Sequence, residues 1–349
     1  MALTRRAVIA TAGGLAALGA GASREARAAV PGEGGSRGDG TTVRLRLLET
    51  SDLHMFARDY DYYRDRQDDT VGLAKVATLV AAARAEAPNS LLFDNGDILQ
   101  GNPLGDYVAL KQPLPSRERV HPMFRAMNLL GYDAGTLGNH EFNYGLPFLD
   151  AALAGAEFPF VCANLKHVDG TDYLKPYVVL DRRVRDESGA EHVLRVGVLG
   201  LVTPQIMVWD QTHLAGKVQA PDIVDTARRY VPELRERCDL LVVLSHSGIS
   251  GAPRRGGDEN ASLFLAEVPG IDVIFTGHEH RVFPGPFFAD QGAGVDAARG
   301  TLHGVPAVMP GFWGSHLGVI DLELRRDAAG ARPWRVAGFH VEARPIYRR

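Results

Sequence analysis

The chain has 349 residues, of which 45% are hydrophobic and 23% charged, and this composition excludes a disordered, collagen-like or coiled-coil protein. With 38 basic and 42 acidic residues the formal net charge is -4. That balance excludes the strongly basic surface of a protein that binds nucleic-acid polymers or anionic membranes.

Residues 1–28 have the features of an export signal. Arg5 and Arg6 precede an apolar run over residues 7–22, and residues 26–28 form a small-x-small cleavage site. The paired arginines favour the twin-arginine route. A transmembrane helix is disfavoured because the run is shorter than the ~20 residues that a span needs. We therefore predict export to the periplasm or cell exterior, with no membrane attachment after cleavage. A flexible lead-in over residues 29–42 then precedes one folded domain over residues 43–349.

Apolar runs and helical patterns alternate along the rest of the chain. Strands are predicted at residues 43–50, 91–93, 158–163, 194–199, 240–244, 271–275, 305–309 and 317–324. Helices are predicted at residues 71–87, 123–130, 146–154 and 223–237, and loops or hairpin turns at 291–300 and 325–333. This alternation indicates an α/β fold with a buried sheet and helices on both faces.

The two cysteines, Cys162 and Cys238, fall in or beside predicted strands. Export makes a disulfide possible, whereas buried free thiols are the commoner outcome for such positions. The sequence leaves both alternatives open.

Five polar clusters interrupt the apolar sequence, and four of them directly follow a predicted strand. They lie at residues 51–54, 96–97, 138–141, 245–247 and 276–280. In open α/β sheets, functional sites form outside the carboxyl ends of the strands. We therefore expect these clusters to converge in space although they are far apart in sequence.

The clusters contain seven candidate metal ligands: Asp52, His54, Asp97, Asn139, His246, His278 and His280. A single Asp-x-His or His-x-His is usually a loop or surface feature, so only the ordered set is specific. Carboxylate, amide and imidazole donors without thiolates suit Mn, Zn, Fe or Co. Seven donors exceed one tetrahedral site and favour two adjacent ions, an arrangement that hydrolyses phosphate esters.

With these clusters the chain resembles the calcineurin-like binuclear metallophosphoesterases, in the 5′-nucleotidase branch. Within that branch it is most similar to bacterial periplasmic 2′,3′-cyclic-nucleotide 2′-phosphodiesterase/3′-nucleotidases. The stretches that carry the resemblance lie at residues 49–54, 60–63, 94–97, 135–145, 204–207, 209–210, 246–248 and 309–314. The resemblance implies a four-layer α/β/β/α sandwich and a small-molecule nucleotide substrate.

The resemblance also implies individual roles. Asp52, His54 and His280 would hold one ion, Asn139, His246 and His278 the other, and Asp97 would bridge them. His140 would stabilise the transition state or protonate the leaving oxygen while a metal-bound hydroxide attacks phosphorus.

Asn143 departs from the 5′-nucleotidase pattern, in which an Asp three residues after this histidine pairs with it. An amide orients His140 without stabilising its cation by charge. His280 likewise stands where many 5′-nucleotidases have Gln. Both departures favour the cyclic-phosphodiesterase branch.

Members of this branch usually carry a second, C-terminal domain that stacks on the base, and we expect it to be absent from this chain. A truncated chain, a separate chain supplying that domain, and a natural one-domain form all remain open. The expected result is weaker nucleotide binding with little base selectivity. The alternatives are a 5′-nucleotidase/UDP-sugar hydrolase, a dimanganese sulfur-oxidation hydrolase, and a non-catalytic metal- or nucleotide-binding fragment.

Overall fold

The computed structural model describes residues 28–29, 40–112, 120–326 and 333–347. Nearly all of the predicted export signal, and most of the predicted lead-in, lie outside these residues. So does most of the loop predicted at residues 325–333. Within the described part, no helix combines the length and the apolar character that a membrane crossing requires.

The strands, in chain order, are β1 (Ala28–Ala29), β2 (Thr42–Thr50), β3 (Tyr60–Asp61), β4 (Arg66–Gln67), β5 (Ser90–Asp94), β6 (Ala134–Gly135), β7 (Lys166–His167), β8 (Tyr177–Arg185), β9 (Glu191–Val202), β10 (Val218–Gln219), β11 (Leu240–His246), β12 (Val273–Thr276), β13 (Val282–Phe283), β14 (Val295–Asp296), β15 (Thr301–Leu302), β16 (Val305–Pro310), β17 (His316–Arg326) and β18 (Trp334–Pro345). The helices are α1 (Leu73–Glu86), α2 (Pro103–Leu110), α3 (Pro122–Leu130), α4 (Leu146–Leu153), α5 (Ile206–Trp209), α6 (Gln211–Leu214), α7 (Ile223–Arg237) and α8 (Ser262–Leu265).

Two large sheets form the centre of the domain. The first has the order β1-β18-β17-β2-β5-β6, and the second has the order β14-β15-β16-β12-β11-β9-β8 with β13 paired to β16. Strands β2, β5 and β6 are parallel in the first sheet, as are β9, β11, β12 and β16 in the second. Each sheet therefore has several carboxyl strand ends at one edge.

Three apolar layers separate the sheets and helices. Leu47 and Phe93 of the first sheet face Val242 and Phe275 of the second. The rings of Phe93 and Phe275 lie 5.7 Å apart across this layer. Helices α1, α3 and α4 cover the outer face of the first sheet, and α7 covers that of the second. This arrangement confirms the predicted four-layer α/β/β/α sandwich.

Helix α7 has the predicted bounds, because its sequence contains both a start signal and an amphipathic pattern. The side chain of Asp222 caps the helix by accepting a hydrogen bond from the backbone N–H of Asp225. Val231 and Leu234 are buried on one face. The helix therefore needs the second sheet to cover its apolar stripe.

The strand predicted at residues 158–163 was wrong, because this segment divides its hydrogen bonds between the two sheets. Val161 N–H donates to Gly135 O in the first sheet, and Ala163 N–H donates to Gly200 O in the second. Its apolar residues are buried at the junction of the sheets rather than within one ladder. Cys162 and Cys238 are both buried free thiols.

Strands β8 and β18 and helix α2 were not predicted. In β18 a register shift opposite Glu323 and Leu324 leaves one extra residue between Val336 and Gly338. The phase of the side chains therefore changes within the strand: Trp334 faces the inter-sheet core before the shift, and Phe339 faces it after. A search for strict alternation misses such a strand.

Candidate metal centre

The five polar clusters converge at the carboxyl edge of the two sheets. They follow β2, β5, β6, β11 and β12. The short strand β6 precedes the cluster at residues 138–141, whose preceding segment could not be assigned from sequence. Asn95 Nδ2 donates to Ser245 O at 3.1 Å, which ties the loop after β5 to the end of β11 in the other sheet.

Five of the seven predicted ligands have a left-handed backbone. They are Asp52 (φ 55), His54 (φ 46), Asp97 (φ 60), His278 (φ 75) and His280 (φ 54). Residues other than glycine adopt this backbone conformation at a cost of order 1–3 kcal/mol. The conformation therefore persists only where surrounding contacts stabilise it. Here Asp52 N–H donates to Gly96 O at 2.9 Å and His54 N–H to Asp97 O at 2.8 Å. The two loops therefore hold each other in the shape that points the ligands inward.

The first group of donors consists of Asp52, His54, Asp97 and His280, whose ligand atoms all lie within 4.8 Å of one another. His54 Nε2 lies 2.9 Å from His280 Nε2 and 3.7 Å from Asp97 Oδ2. His280 Nε2 lies 3.4 Å from Asp52 Oδ1. Ligand bonds of about 2.0–2.2 Å put neighbouring donors roughly 3 Å apart, so this spacing fits one cation.

The second group consists of Asp97, Asn139, His246 and His278. His246 Nε2 lies 3.2 Å from Asp97 Oδ2, and Asn139 Oδ1 lies 3.2 Å from His246 Nε2 and 2.9 Å from His278 Nδ1. Asp97 belongs to both groups. The structure thus brings together all seven residues predicted as ligands, with one carboxylate shared.

Three of the candidate histidine ligands are oriented by a hydrogen bond at the ring nitrogen that points away from the donor group. His54 Nδ1 bonds Gln100 O at 2.7 Å and His246 Nδ1 bonds Asn95 O at 2.6 Å. Because a carbonyl oxygen only accepts hydrogen bonds, both Nδ1 atoms carry the hydrogen. Both Nε2 atoms therefore keep a lone pair that can bind a metal. His278 is held by Glu259, through Nε2 and Oε1 at 2.7 Å.

The two most buried imidazoles among the candidate ligands have opposite pKa shifts in the absence of metal. Burial lowers the pKa of His54 to about 4, against the opposing effect of the nearby carboxylates. Burial also acts to lower the pKa of His246, but Asp97 beside it overcomes this effect and raises the pKa to about 10. Burial acts to raise the pKa of Asp97, and His246 overcomes it and holds that pKa well below its usual range. His246 and Asp97 therefore form an ion pair when no cation is present.

Glu141 holds the shared ligand and was not predicted as a site residue. Its buried carboxylate accepts four backbone N–H groups, from Asp97 and Gly138 through Oε2 and from Ile98 and Leu99 through Oε1. Burial raises the pKa of Glu141, while these donors act in the opposite direction. One side chain thus joins the loop that carries Asp97 to the loop that carries Asn139.

His140 lies beside both groups. Its backbone N–H donates to Asp97 Oδ1 at 2.7 Å, and its ring lies 4.9 Å from that of His54. Nδ1 lies 2.7 Å from Asn143 Oδ1, so the two side chains predicted to interact are within hydrogen-bond distance. Asn143 Nδ2 in turn donates to Asp210 Oδ1 at 3.0 Å. Asp210 lies in a matched stretch of the sequence, but nothing there marked it as a partner of Asn143.

A cleft of about 400 Å³ opens beside the second group. The residues that line it are Asn139, His140, Asn143, Trp209, Asp210, Glu259, His278 and Glu279. Trp209 stacks on His278 with ring centres 5.7 Å apart, and Phe312 stacks on His280 at 4.8 Å. The first group is therefore covered by a ring on one side, while the second faces the cleft.

The donor set fits a pair of divalent cations. Both groups combine carboxylate and imidazole, the donors are buried or partly buried, and no thiolate takes part. This chemistry excludes a structural zinc knot and suits borderline or hard divalent metals.

A sequence profile of the calcineurin-like phosphoesterases matches residues 45–282, which include the donors of both groups. The chain belongs to this family. The family assignment confirms the resemblance found from the sequence clusters.

Three relatives show how the family match extends along the chain. The 2′,3′-cyclic-nucleotide 2′-phosphodiesterase/3′-nucleotidase of Salmonella typhimurium is 51% identical, over 88% of this chain and 47% of its own length. A 5′-nucleotidase of Vibrio cholerae is 26% identical, over 81% of this chain and 49% of its own length. The crystal structure of the calcineurin-like phosphoesterase YfkN from Bacillus subtilis is 44% identical with a TM-score of 0.83, covering 87% of this chain and 91% of that one. The chain thus spans about half the length of the curated relatives it matches.

Proposed function

We propose that this chain is an exported, metal-dependent hydrolase of phosphate esters that acts on 2′,3′-cyclic nucleotides and 3′-nucleotides. The observation that carries the proposal is the pair of donor groups sharing Asp97, with His140 beside them and a cleft in front. The substrate class is supported by the name of the Salmonella typhimurium relative, which is 51% identical.

In this proposal the two donor groups are the resident metal site. Asp52, His54 and His280 would hold one cation and Asn139, His246 and His278 the other, with Asp97 available to both. When bound, two divalent cations supply positive charge for the phosphoryl oxygens and activate water for attack. Manganese, zinc, iron and cobalt all suit these donors.

His140 supplies the proton chemistry. Because its Nδ1 is bonded to Asn143 at 2.7 Å, Nε2 is the ring atom left to meet the substrate in the cleft. When the cyclic phosphate opens, the oxygen of water bonds to phosphorus, the P–O2′ bond breaks and O2′ takes a proton. The free Nε2 can take the proton that the attacking water releases and give it to O2′, a transfer suited to an imidazole near neutral pH.

The cleft accommodates the nucleoside rather than the phosphate. Its charged lining residues within the described part are the carboxylates Asp210, Glu259 and Glu279, and no Lys or Arg is among them. An anionic phosphate is repelled by such a wall and attracted by the cations, so it is directed to the metal groups. Ribose hydroxyls suit the acidic wall as hydrogen-bond donors.

The test is hydrolysis by the full chain reconstituted with Mn²⁺, using 2′,3′-cyclic AMP, 3′-AMP and 5′-AMP. We expect turnover of the first two and a loss of at least about 10²–10³-fold in His246→Ala. His340→Ala, at an exposed histidine of β18, is the matched control and should keep full activity. Turnover of 5′-AMP alone would instead identify a 5′-nucleotidase. Two bound metals without turnover of any ester would identify a binding fragment.

Base preference and export need separate measurements. We expect similar KM values for the four 2′,3′-cyclic nucleotides in this chain, since base stacking, worth ~1–3 kcal/mol, accepts the face of any base. For export, replacing Arg5 and Arg6 by Lys should retain the precursor inside the cell. Unchanged export of that variant would rule out the twin-arginine route.

A further inference from the structure

Asp210 lies behind Asn143 in a position fixed by its own backbone. It stands between α5 and α6, where its N–H donates to Ile206 O at 2.9 Å and its carbonyl accepts from His213 N–H at 2.8 Å. The residue is only 5% exposed. Its Oδ1 accepts from Asn143 Nδ2 at 3.0 Å. The backbone that carries this carboxylate is therefore fixed at the junction of two helices.

This contact fixes which way the Asn143 amide faces. A carboxylate at neutral pH accepts hydrogen bonds and has none to give, so it selects the NH₂ side of the amide. The amide oxygen must then face His140, 2.7 Å from Nδ1. An oxygen only accepts, so the hydrogen must lie on Nδ1 of the ring. Without Asp210 the amide has no such constraint and either end can face the imidazole.

We propose that Asp210 is a positioning residue, which fixes the Asn143 amide and thereby keeps the hydrogen of His140 on Nδ1 and Nε2 free toward the cleft. The expected effect on turnover rests on the proposed function, whereas the expected tautomer of the His140 ring does not. Neither Asp210 nor Asn143 is expected to touch the phosphate. Their effect passes through the orientation of one amide.

The hydrogen bonds of Asp210 support a role other than stability. Its second oxygen, Oδ2, is buried and meets no donor among the described residues. Asn143 is the side-chain donor that faces this carboxylate in the described part of the chain. Asp210 therefore acts on the site through the Asn143 amide.

The experiment exchanges the two groups. Asp210→Asn removes the constraint, Asn143→Asp places two carboxylates about 3 Å apart where they repel, and the double variant Asn143→Asp/Asp210→Asn restores an acceptor facing Nδ1 and a donor behind it. We expect kcat for 2′,3′-cyclic AMP to fall about 10–100-fold in each single variant with little change in KM. The double variant should recover at least about tenfold over either single one. Asp290→Asn, at an exposed aspartate, is the matched control.

A second readout does not depend on turnover. In chain labelled with ¹⁵N at histidine, the ring nitrogens of His140 should report one Nδ1–H tautomer in the unaltered chain and the double variant. Asp210→Asn should give a mixture. His140→Gln identifies the signals.

An unchanged kcat together with an unchanged tautomer in Asp210→Asn would overturn the proposal. So would a double variant no better than the single ones. If the unaltered, metal-loaded chain hydrolyses no phosphate ester, the proposed function fails, and the ring spectra still decide whether Asp210 sets the tautomer. If Asp210→Asn does not fold, Asp210→Ala takes its place in the ring spectra, because it also removes the acceptor behind the amide, and a single Nδ1–H tautomer in that variant would overturn the proposal.

Discussion

The two donor groups share Asp97 but differ in protonation when no metal is bound. His54 and His246 are both buried, and both present Nε2 to the site with Nδ1 bonded to a backbone carbonyl. Yet the pKa of His54 falls to about 4 by burial, while Asp97 raises that of His246 to about 10 against burial. His54 Nε2 is 3.7 Å from Asp97 Oδ2, and His246 Nε2 is 3.2 Å from it.

The difference shows that two histidine ligands with the same hydrogen-bond geometry can differ in protonation before a cation binds. His54 is neutral at physiological pH and offers a lone pair at once. His246 carries a proton that already neutralises Asp97, so a cation entering the second group must displace it. The second group also depends on a partly exposed carboxylate, Glu259, to hold His278. Metal binding is therefore expected to be weaker and more sensitive to pH in the second group.

The largest expected effect comes from the residue that both groups share. Asp97→Asn should abolish binding of both cations and lower kcat/KM by about 10³-fold or more, because it removes the charge that holds the pair together. Metal content after dialysis measures this directly. His54→Ala and His246→Ala are the comparison, since each should lose one cation preferentially. An Asp97→Asn protein that keeps one full equivalent of metal would show that the groups are independent.

Glu141 is the next most sensitive position. Glu141→Ala leaves four backbone N–H groups without their acceptor, and each buried donor left unpaired costs ~1–3 kcal/mol. We expect the free energy of unfolding in urea to fall by about 3 kcal/mol or more.

Glu141→Gln keeps one acceptor oxygen and is the graded control. It should lose less stability than Glu141→Ala and should weaken the second group more than the first, because Asn139 lies in the loop that Glu141 holds. Equal stability of the two variants would contradict this account.

The convergence of the seven candidate ligands could be predicted from sequence, whereas the residues that hold them could not. Four of the five clusters follow a predicted strand, and parallel strands bring their carboxyl ends to one edge of a sheet. Gln100 and Asn95 act through backbone carbonyls, which no side-chain pattern reveals. Glu259 lies in a loop and meets His278 only through the packing of that loop.

The same distinction applies to the fold. Alternating strands and helices predicted an α/β fold with a buried sheet, whereas the four layers were predicted only through the family resemblance. The bounds of α7 follow from its cap and apolar stripe. The segment 158–163 has strand-like composition but bridges the two sheets, a tertiary outcome that composition does not encode. The register shift in β18 breaks the alternation of apolar residues, so this long strand is likewise not recognised from sequence.

Glu259→Gln is expected to act on the second group alone. Loss of the carboxylate leaves His278 less firmly oriented, and partners of this kind typically change metal affinity or activity by about 10–100-fold. Competition titration with a chelator should show one site weakened and one unchanged. Glu267→Gln is the matched control, because Glu267 also contacts a histidine, His303 at 3.3 Å, but lies outside both groups. Equal weakening of both sites would show that the groups are coupled through more than Asp97.

The smallest effect is the pH dependence of stability in the metal-free chain. A histidine whose folded pKa is raised stabilises the fold fully below its unfolded pKa of about 6.5, and loses that contribution as pH rises toward the folded value. For His246 the window therefore runs from about 6.5 to about 10. For His54, whose pKa is lowered to about 4, stability is lost as pH falls from about 6.5 toward that value.

Thermal unfolding of the chain in EDTA, measured as a function of pH, distinguishes the two pH windows. Above pH 6.5 the Tm of the unaltered chain should fall by a few degrees per pH unit, because one differential proton is worth at most about 1.4 kcal/mol per unit. His246→Gln should flatten this decline and leave the acid side unchanged, whereas His54→Gln should flatten the acid side alone. If both variants flattened the same side, the two imidazoles would not hold opposite protonation states, and the difference in metal readiness between the groups would disappear with it.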